Sequence, residues 1–239
     1  MRKITYNGIS STSTSLGIAA VQQFRREVLP FNTDRTLRIP GKDGIYDFGK
    51  DRQERFVFTR LWVDSTTMTM RETRLDNIAA WLETDGELKA LTFTDTTAAA
   101  TTRYMARTYG IVNVEGAGTD AHIDINFIVP SGFKEAVTPK TASPNAGTLA
   151  CPVAITLTLS TATTELSVGY GGDSVKVRYG FTGGEVVVIN TETRNVTIDS
   201  TDASQYVTFD SEFFVLEPGT FAITANDSTQ TISFRERWA

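Results

Sequence analysis

The first candidate for a catalytic residue is the single histidine, His122. It lies two positions before Asp124 in a segment where polar and apolar residues alternate. General-base catalysis by histidine requires an orienting carboxylate and a nucleophile within hydrogen-bond reach. The spacing places both side chains on one face of a strand, but any half-exposed strand supplies such a pair. The residues alone therefore favour a structural role, and no catalytic residue is assigned.

Metal binding is the second chemistry that the sequence raises, because Asp43, Asp47 and Asp51 recur every four residues. Glycines interrupt the stretch, so no helix can align the three carboxylates, and the spacing differs from that of calcium-binding loops. One histidine and one cysteine, Cys151, exclude multi-histidine and cysteine-rich sites. We expect solvated turn carboxylates, with no metal and no cofactor.

A glycine-containing segment, Gly180-Phe-Thr-Gly-Gly-Glu185, could suggest a phosphate-binding loop. It lacks the lysine and the following Ser or Thr of such loops, and no helical pattern comes after it. The segment is instead typical of a tight turn that leads into the strand Val186-Val-Val-Ile189.

Composition and charge narrow the class of protein. The 239 residues are 40% hydrophobic, which is enough for real cores, and the length suits one large or two ordinary domains. The net charge of −5 argues against a general nucleic-acid binder. No stretch approaches the roughly 20 apolar residues of a membrane helix, and the first residues show no signal peptide, so we expect no membrane insertion.

The sequence predicts two domains. Residues 135–147 contain two prolines and small polar residues without apolar periodicity, which is typical of an extended linker. We therefore expect a first domain at 1–134 and a second at 148–239. The second has five basic against eleven acidic residues, a balance of −6, so the acidity of the chain belongs to it.

Both domains show strand patterns, and the first also shows one helix. In the first domain we expect a strand at 55–63, a helix at 71–83 and a strand at 121–130. The helix should bury Leu75, Ile78, Ala79 and Leu82, turn Arg74 outward and end at Gly86 in a left-handed cap. In the second domain, runs at 152–160, 165–170, 174–181, 185–190, 195–199, 206–209, 213–216, 221–225 and 231–238 indicate a β-sandwich or jelly roll.

Several segments, taken in order, resemble the distal tail (Dit) proteins of long-tailed, non-contractile phages. The first is Arg38-Ile-Pro-Gly-Lys-Asp-Gly-Ile-Tyr-Asp-Phe48, a characteristic turn of that family. The others are Glu54-Arg-Phe-Val-Phe, Ala79-Ala-Trp-Leu82 with Gly86, Leu91-Thr-Phe-Thr-Asp95, Arg103-Tyr-Met-Ala-Arg107, Phe127-Ile-Val-Pro130, Phe181-Thr-Gly-Gly184, Ile189-Asn, Phe213-Phe-Val-Leu-Glu-Pro-Gly219 and Arg235-Glu-Arg-Trp238. Each motif alone is weak, but together they span nearly the whole chain.

The resemblance implies a mainly β protein with an N-terminal split β-barrel that carries one helix, as in tail-tube proteins, and a C-terminal galectin-like sandwich. It implies a homohexameric ring at the phage tail tip, part of the virion. The ring would join the tail tube protein to a tail-associated hub protein and would dock receptor-binding or baseplate proteins. DNA would pass through the channel without sequence-specific binding.

The segment from Arg38 to Arg55, dense in glycine and charge, is the predicted ring interface, because subunits of a ring must complete one another through loops and sheet edges. The interface residues predicted within it are Arg38, Gly41, Asp43, Gly44 and Tyr46.

Two alternatives to this structural role remain. The second domain could recognise cell-wall polysaccharide, since lectin sites present aromatic side chains beside polar ones and Tyr170, Tyr179 and Trp238 are available. The chain could also be a cell-wall hydrolase, but the convergent groups that an active site needs are not apparent.

Overall fold

The computed structural model describes residues 2–94, 100–116, 118–226 and 228–239, so Asp95 of the quoted motif lies outside the described residues. The chain forms two compact units, Met1–Glu135 with Ala239, and Ala136–Trp238. Within the described ranges the protein is mainly β with one α-helix, as the sequence predicts, and this helix is neither long nor apolar enough to cross a membrane.

The first unit consists of strands and the helix α1. Its elements are β1 (Lys3–Tyr6), β2 (Ile9–Ser10), β3 (Ile18–Arg26), β4 (Asn32–Leu37), β5 (Tyr46–Arg52), β6 (Arg55–Val63), α1 (Met68–Leu82), β7 (Lys89–Thr94), β8 (Thr102–Thr108), β9 (Asn113–Glu115) and β10 (Ala121–Val129). Seven strands follow one another in the order β2-β1-β7-β8-β10-β6-β3, β9 pairs with β10, and β4 and β5 form a separate hairpin. The sheet is open, and none of the described strands closes it into a barrel.

The core of this unit follows from alternation along β6 and β10, which pair antiparallel from Ala121 opposite Val63 to Val129 opposite Arg55. In both strands every second side chain is buried and the others are half-buried. One face of each strand therefore meets the core, as period-two patterning requires.

Helix α1 differs from the sequence prediction in four respects, of which the first two are its start and one of its buried residues. It begins at Met68, where Thr67 caps it by accepting a hydrogen bond from the backbone N–H of Met70 at 3.1 Å. Its buried side chains are Ile78, Trp81 and Leu82, so the large indole takes the place predicted for the small, exposed Ala79.

The other two corrections concern the direction of Arg74 and the end of the helix. Arg74 is half-buried rather than directed outward, and its guanidinium donates to Ser65 Oγ at 3.4 Å, because a long aliphatic stem can cover apolar surface while its head group stays polar. The helix ends at Leu82, with Glu83 already extended. Gly86 lies instead in a turn closed by a hydrogen bond from Glu87 N–H to the Thr84 carbonyl.

The second unit is built from two sheets around one hydrophobic core. Its elements are β11 (Lys134–Ala136, which begins before the unit boundary), β12 (Val153–Leu159), β13 (Thr163–Tyr170), β14 (Asp173–Phe181), β15 (Val186–Asn190), β16 (Asn195–Ile198), β17 (Thr201–Asp202), a 3₁₀ turn (Ser204–Tyr206), β18 (Thr224–Ala225), β19 (Ser228–Phe234) and β20 (Arg237–Trp238). The sheets have the orders β17-β16-β15-β12-β19 and β14-β13-β18, and both contribute side chains to the core. This is the sandwich that the strand pattern indicates.

Two of the strands expected in the second unit are absent from the described structure. Residues 206–209 form the end of a 3₁₀ turn and a tight turn, and residues 213–216 pair only through an isolated bridge between Leu216 and Cys151. Aromatic and β-branched residues there suggested strands, but their side chains fill the core from irregular backbone.

Residues 136–147, where the sequence suggests a linker, pair with the rest of the second unit. Lys140 bridges Phe234, and Asn145 bridges Gly219. The buried carboxylate of Glu236 accepts from Lys140 Nζ at 2.6 Å and from the backbone N–H of Ala146 at 2.7 Å. The closing motif of the chain therefore fastens this segment to the sandwich.

Cys151 provides a test of the second core. It is fully buried, and burial raises the pKa of its thiol to about 11. Because the thiolate is the reactive form, we expect the native protein to resist iodoacetamide at pH 8 and the protein in urea to react rapidly. Mass spectrometry of both samples measures this, and fast labelling of the native chain would contradict the packing described.

Candidate assembly surface

The hairpin of β4 and β5 is exposed along its whole length, and we call residues 31–52 the arm. Every residue of the arm is exposed, in contrast to the alternating burial of β6. Its strands pair from Asn32 opposite Arg52 to Leu37 opposite Tyr46. The arm is thus ordered by its own hydrogen bonds and contributes none of its side chains to the core of the unit.

The tip of the arm is shaped by a proline and glycines. Pro40 and Gly41 occupy the centre of a turn closed by a 3.2 Å hydrogen bond from Lys42 N–H to the Ile39 carbonyl. Gly41 has a φ of +79°, which suits the third position of a type II turn and is strained for any residue with a Cβ. Local sequence therefore fixes the bend.

Two ion pairs join the strands of the arm. Lys50 Nζ lies 3.7 Å from Asp34 Oδ1, and Arg35 Nε lies 3.1 Å from Asp51 Oδ2. All four side chains are at least half exposed, so each pair alone stabilises the hairpin little. Asp34 and Lys50 face each other directly across the hairpin, whereas Arg35 lies at the shift in register between Asp34 and Thr36.

Large apolar side chains cluster on the arm without any covering layer. Ile45 is 57% exposed and Phe48 is 61% exposed. The complete set on the arm is Phe31, Leu37, Ile39, Ile45, Tyr46 and Phe48, and Val28 and Leu29 extend it at the base. So many large exposed apolar side chains on one element are typical of an interaction site.

The structure places all five predicted interface residues on the arm: Arg38 directly after β4, Gly41, Asp43 and Gly44 in the tip, and Tyr46 at the start of β5. Sequence reasoning concentrated on glycine and charge and missed the apolar residues Leu37, Ile45 and Phe48. Their signal was present in the sequence, as large hydrophobic residues inside a segment with too many glycines and charges to form a core.

A groove on the same unit offers a second apolar surface. It lies between α1 and residues 108–114 and has a volume of about 470 Å³. Its apolar lining consists of Leu75, Ile78, Ala79, Leu82, Val112, Val114 and Ile123, and the carboxylates of Asp76 and Glu83 also line it. Beside it, Tyr109 and Ile111 are exposed.

The histidine–aspartate pair raised by the sequence does not form a catalytic site. Both oxygens of Asp124 accept from the guanidinium of Arg60, at 2.6 and 2.5 Å, and this hydrogen bonding holds the pKa of Asp124 below its usual range. The carboxylate is therefore already engaged and does not orient His122, whose buried Nδ1 has no hydrogen-bond partner among the described residues.

Two of the three aspartates that suggested metal binding have local partners. Asp47 accepts a hydrogen bond from the backbone N–H of Gly49 at 2.8 Å, and Asp51 pairs with Arg35. Across residues 2–94, 100–116, 118–226 and 228–239, no three His, Cys, Asp or Glu side chains are arranged to hold a metal ion.

The glycine segment of the second unit binds a carboxylate from its own chain. Glu185 accepts from the backbone N–H and the Oγ1 of Thr182, both at 2.7 Å, and from the N–H of Gly183 at 2.8 Å. These hydrogen bonds, led by the Thr182 side chain, lower the pKa of Glu185 to about 2. The hydrogen-bond donors of this loop are therefore occupied by the carboxylate of Glu185.

We expect Thr182→Val to raise the pKa of Glu185 toward its ordinary value of 4.5, because the strongest donor is lost. Since the folded pKa is depressed, the stabilisation from Glu185 is complete above pH 4.5 and is lost as the pH falls through 2. Carboxyl NMR titration measures the shift, with Thr163→Val as a control outside this loop. An unchanged pKa in Thr182→Val would contradict the assignment.

The aromatic side chains considered for sugar binding mostly pack within the protein. Tyr170 lies against Phe214 and Phe221 with ring centroids 5.6 and 6.4 Å away. Tyr179 packs edge-on against Phe181 and Tyr206 and keeps about a third of its surface exposed, while Trp238 is half-buried. Packing within the protein therefore accounts for Tyr170 and for the contacts of Tyr179.

Comparison with known proteins connects this architecture to phage tails. Residues 146–238 match the family model of the siphovirus-type tail component, C-terminal domain. No protein with a curated description matches the chain. Together with the solved structures below, the family match confirms the resemblance that the sequence motifs indicate.

Three solved structures have similar folds. The Dit protein (gp 19.1) of phage SPP1, described as a paradigm of the hub adsorption apparatus in phages that infect Gram-positive bacteria, matches with a TM-score of 0.83 and 19% identity over 100% of both chains. Two structures of the phage P2 baseplate in its activated conformation also match, each at 8% identity. The structure with Ca has a TM-score of 0.53 over 99% of this chain and 98% of that chain. The structure with Sr has a TM-score of 0.55 over 98% of both chains. At these identities the likeness establishes the fold.

Proposed function

We propose that this chain is a structural distal tail protein of a long-tailed, non-contractile phage, located at the tail tip of the virion. Six copies form a ring that joins the tail tube protein to a tail-associated hub protein. Receptor-binding or baseplate proteins dock on the ring. The role is geometric, without enzymatic activity or cofactor, and DNA passes through the ring without sequence-specific contacts.

The observation that carries this proposal is the arm. The arm has 22 residues, all exposed, and it is rich in large apolar side chains that no other part of its own unit covers. Exposing so much apolar surface to water is unfavourable in free energy. A copy of the same chain that buries the arm provides a heterologous contact, and such contacts close into rings when the rotation permits.

The surface that we propose as acceptor is the groove between α1 and residues 108–114 of the neighbouring copy. Its apolar lining matches the apolar residues of the arm, and its carboxylates, Asp76 and Glu83, match the basic residues Arg38 and Lys42 near the tip. Complementary charge of this kind fixes orientation and favours the correct partner.

Two measurements test the proposal. Native mass spectrometry and negative-stain imaging should show sixfold rings, alone or in the presence of the tail tube protein. Disulfide cross-linking tests the contact itself, because the only native cysteine is buried. Oxidation of the double variant Ile45→Cys/Val112→Cys should give a ladder of covalent oligomers up to six.

The matched control is Ile45→Cys/Thr229→Cys, which places the second thiol at an exposed position of the other unit. It should give no ladder. A strictly monomeric protein that binds bacterial wall polysaccharide would overturn the proposal in favour of a carbohydrate-binding module.

A further inference from the structure

A second exposed feature lies on the other unit. Phe209 has a relative exposure of 112%, the highest among the large apolar side chains that the structure describes. It sits in a turn between the 3₁₀ segment and residue Phe213. Turns usually contain glycine, asparagine, aspartate or serine, so phenylalanine is an unusual residue at this position. Its ring is fully exposed and buries no surface within the unit.

The turn that carries Phe209 is firmly held. Ser211 N–H donates to the Thr208 carbonyl at 3.1 Å, and Thr208 N–H donates to the Lys176 carbonyl at 3.0 Å. Lys176 N–H donates to Ser211 Oγ at 2.9 Å, and its Nζ lies 2.5 Å from Asp210 Oδ2. Backbone and side-chain bonds on both sides of Phe209 therefore hold its backbone in place, and with it the direction of the Cα–Cβ bond that carries the ring.

A solvated aromatic ring on a firmly held backbone is suited to anchor a protein contact. Only its two side-chain torsions become ordered when it is buried, and interface hot spots concentrate in buried aromatic residues. Further partly exposed aromatic surface occurs in this unit: Tyr206, three residues earlier, stacks edge-on against Tyr179 with ring centroids 5.0 Å apart, and both remain partly exposed.

The charge around the anchor defines the chemistry of its occupant. The stretch from Asp199 to Glu217 has five acidic residues, all exposed, and no lysine or arginine; they are Asp199, Asp202, Asp210, Glu212 and Glu217. The nearby cations on β14 are already paired, Lys176 with Asp210 and Arg178 with Glu165, whereas Glu212 has no cation within ion-pair distance among the described residues. A second copy meeting this face symmetrically would oppose like charges, which is unfavourable.

We propose that Phe209 anchors the docking of a different tail-tip protein, one that offers an apolar socket with a basic rim. The inference rests on the proposed function, since it assigns the docking role of the ring to one turn of the second unit. It is separate from the arm, which serves contacts between copies of this chain.

The test uses phage particles and purified proteins. Phe209→Ser is introduced into the phage genome, with Val186→Ser, another exposed apolar residue of the same unit, as the matched control. Mass spectrometry of purified particles measures the amount of every tail protein. The proteins encoded beside this gene, each purified alone, are then titrated against wild type and variants by biolayer interferometry.

We expect Phe209→Ser particles to keep this chain at the wild-type level and to lose one distal protein. That same protein should bind purified Phe209→Ser at least about 30-fold more weakly than wild type, the effect of losing a hot-spot residue. Glu212→Lys should weaken its binding about tenfold and reduce its dependence on salt. Val186→Ser should change neither measurement, and the urea midpoint of Phe209→Ser should equal that of wild type.

Three outcomes would overturn the inference. Particles of normal composition would show that Phe209 is not an anchor. A loss of rings in Phe209→Ser alone would make the turn a contact between copies. Weakening by Val186→Ser equal to that by Phe209→Ser would make the effect unspecific. The absence of rings and of this chain from wild-type particles would instead refute the proposed function.

Discussion

The double variant Ile45→Asp/Phe48→Asp is expected to be a folded monomer that no longer forms rings. Both side chains are more than half exposed in the isolated chain, so the substitutions remove no core contact and should change the free energy of unfolding by less than about 1 kcal/mol. In a ring, both positions would be buried against apolar surface, where an unpaired carboxylate is strongly unfavourable.

The size of the effect follows from hot-spot energetics. Loss of two anchors at about 2 kcal/mol each corresponds to roughly a thousandfold weaker contact, which is enough to dissolve a ring at micromolar concentration. Native mass and sedimentation velocity measure the oligomeric state. Leu88→Asp, at another exposed apolar position of the same unit, should assemble normally. Intact rings in the double variant would show that the arm is not the interface.

The second large effect is expected in the core of the sandwich. Phe214 is 3% exposed and packs in the core of the second unit, with Tyr170 against its ring. Phe214→Ala should lower the free energy of unfolding by about 3–5 kcal/mol, because it removes buried surface and leaves a cavity. With urea m-values of about 1–3 kcal/mol per molar, the midpoint should fall by roughly 2 M.

The neighbouring phenylalanines give a graded control for this prediction. Phe213 is half-buried at the margin of the same core, so Phe213→Ala should cost less than Phe214→Ala, and Phe209→Ala should cost almost nothing. Urea-dependent labelling of Cys151 reports the unfolding of the second unit specifically, since that thiol is buried in its core. A larger loss in Phe213→Ala than in Phe214→Ala would refute the packing described.

The best-predicted parts of the fold are those in which one face of a strand meets a core. Ile123, Ile125 and Phe127 of β10 and Ile155 and Leu157 of β12 are all buried, as their alternation predicts. In such strands the sequence pattern alone predicts which side chains are buried. A shift of the strand register by one residue would turn all of its apolar side chains toward solvent, so the fold permits only one register.

The helix shows where local pattern becomes insufficient. Leu75, Ile78 and Leu82 share one face of the helix. Either Ala79 or Trp81 could be a further buried residue of that face, and the helical spacing of apolar residues does not decide between them. The structure selects Trp81, whose indole N–H donates to the Tyr6 carbonyl at 2.8 Å. That partner lies 75 residues away in sequence, so no local rule could have identified it.

The exposure of the arm was only partly predictable from sequence. Glycines and charges drew attention to its tip, whereas its large exposed apolar residues were overlooked. Irregular segments were harder still: residues 206–216 have strand-like composition, yet they form turns whose hydrogen-bond partners, such as Lys176, come from distant β14. Ion pairs between remote positions, such as Arg60 with Asp124, are likewise fixed by the fold rather than by spacing.

The cross-strand ion pairs of the arm have a consequence for the life of the free subunit. An unpaired hairpin with several bare hydrophobic side chains would readily add strands to other chains, and charged residues along such an edge are a known safeguard against aggregation. Asp34, Arg35, Lys50 and Asp51 supply such charges on both strands of the hairpin. For the proposed ring, this means that a newly made subunit already has its arm formed, so that assembly requires collision and docking without a folding step.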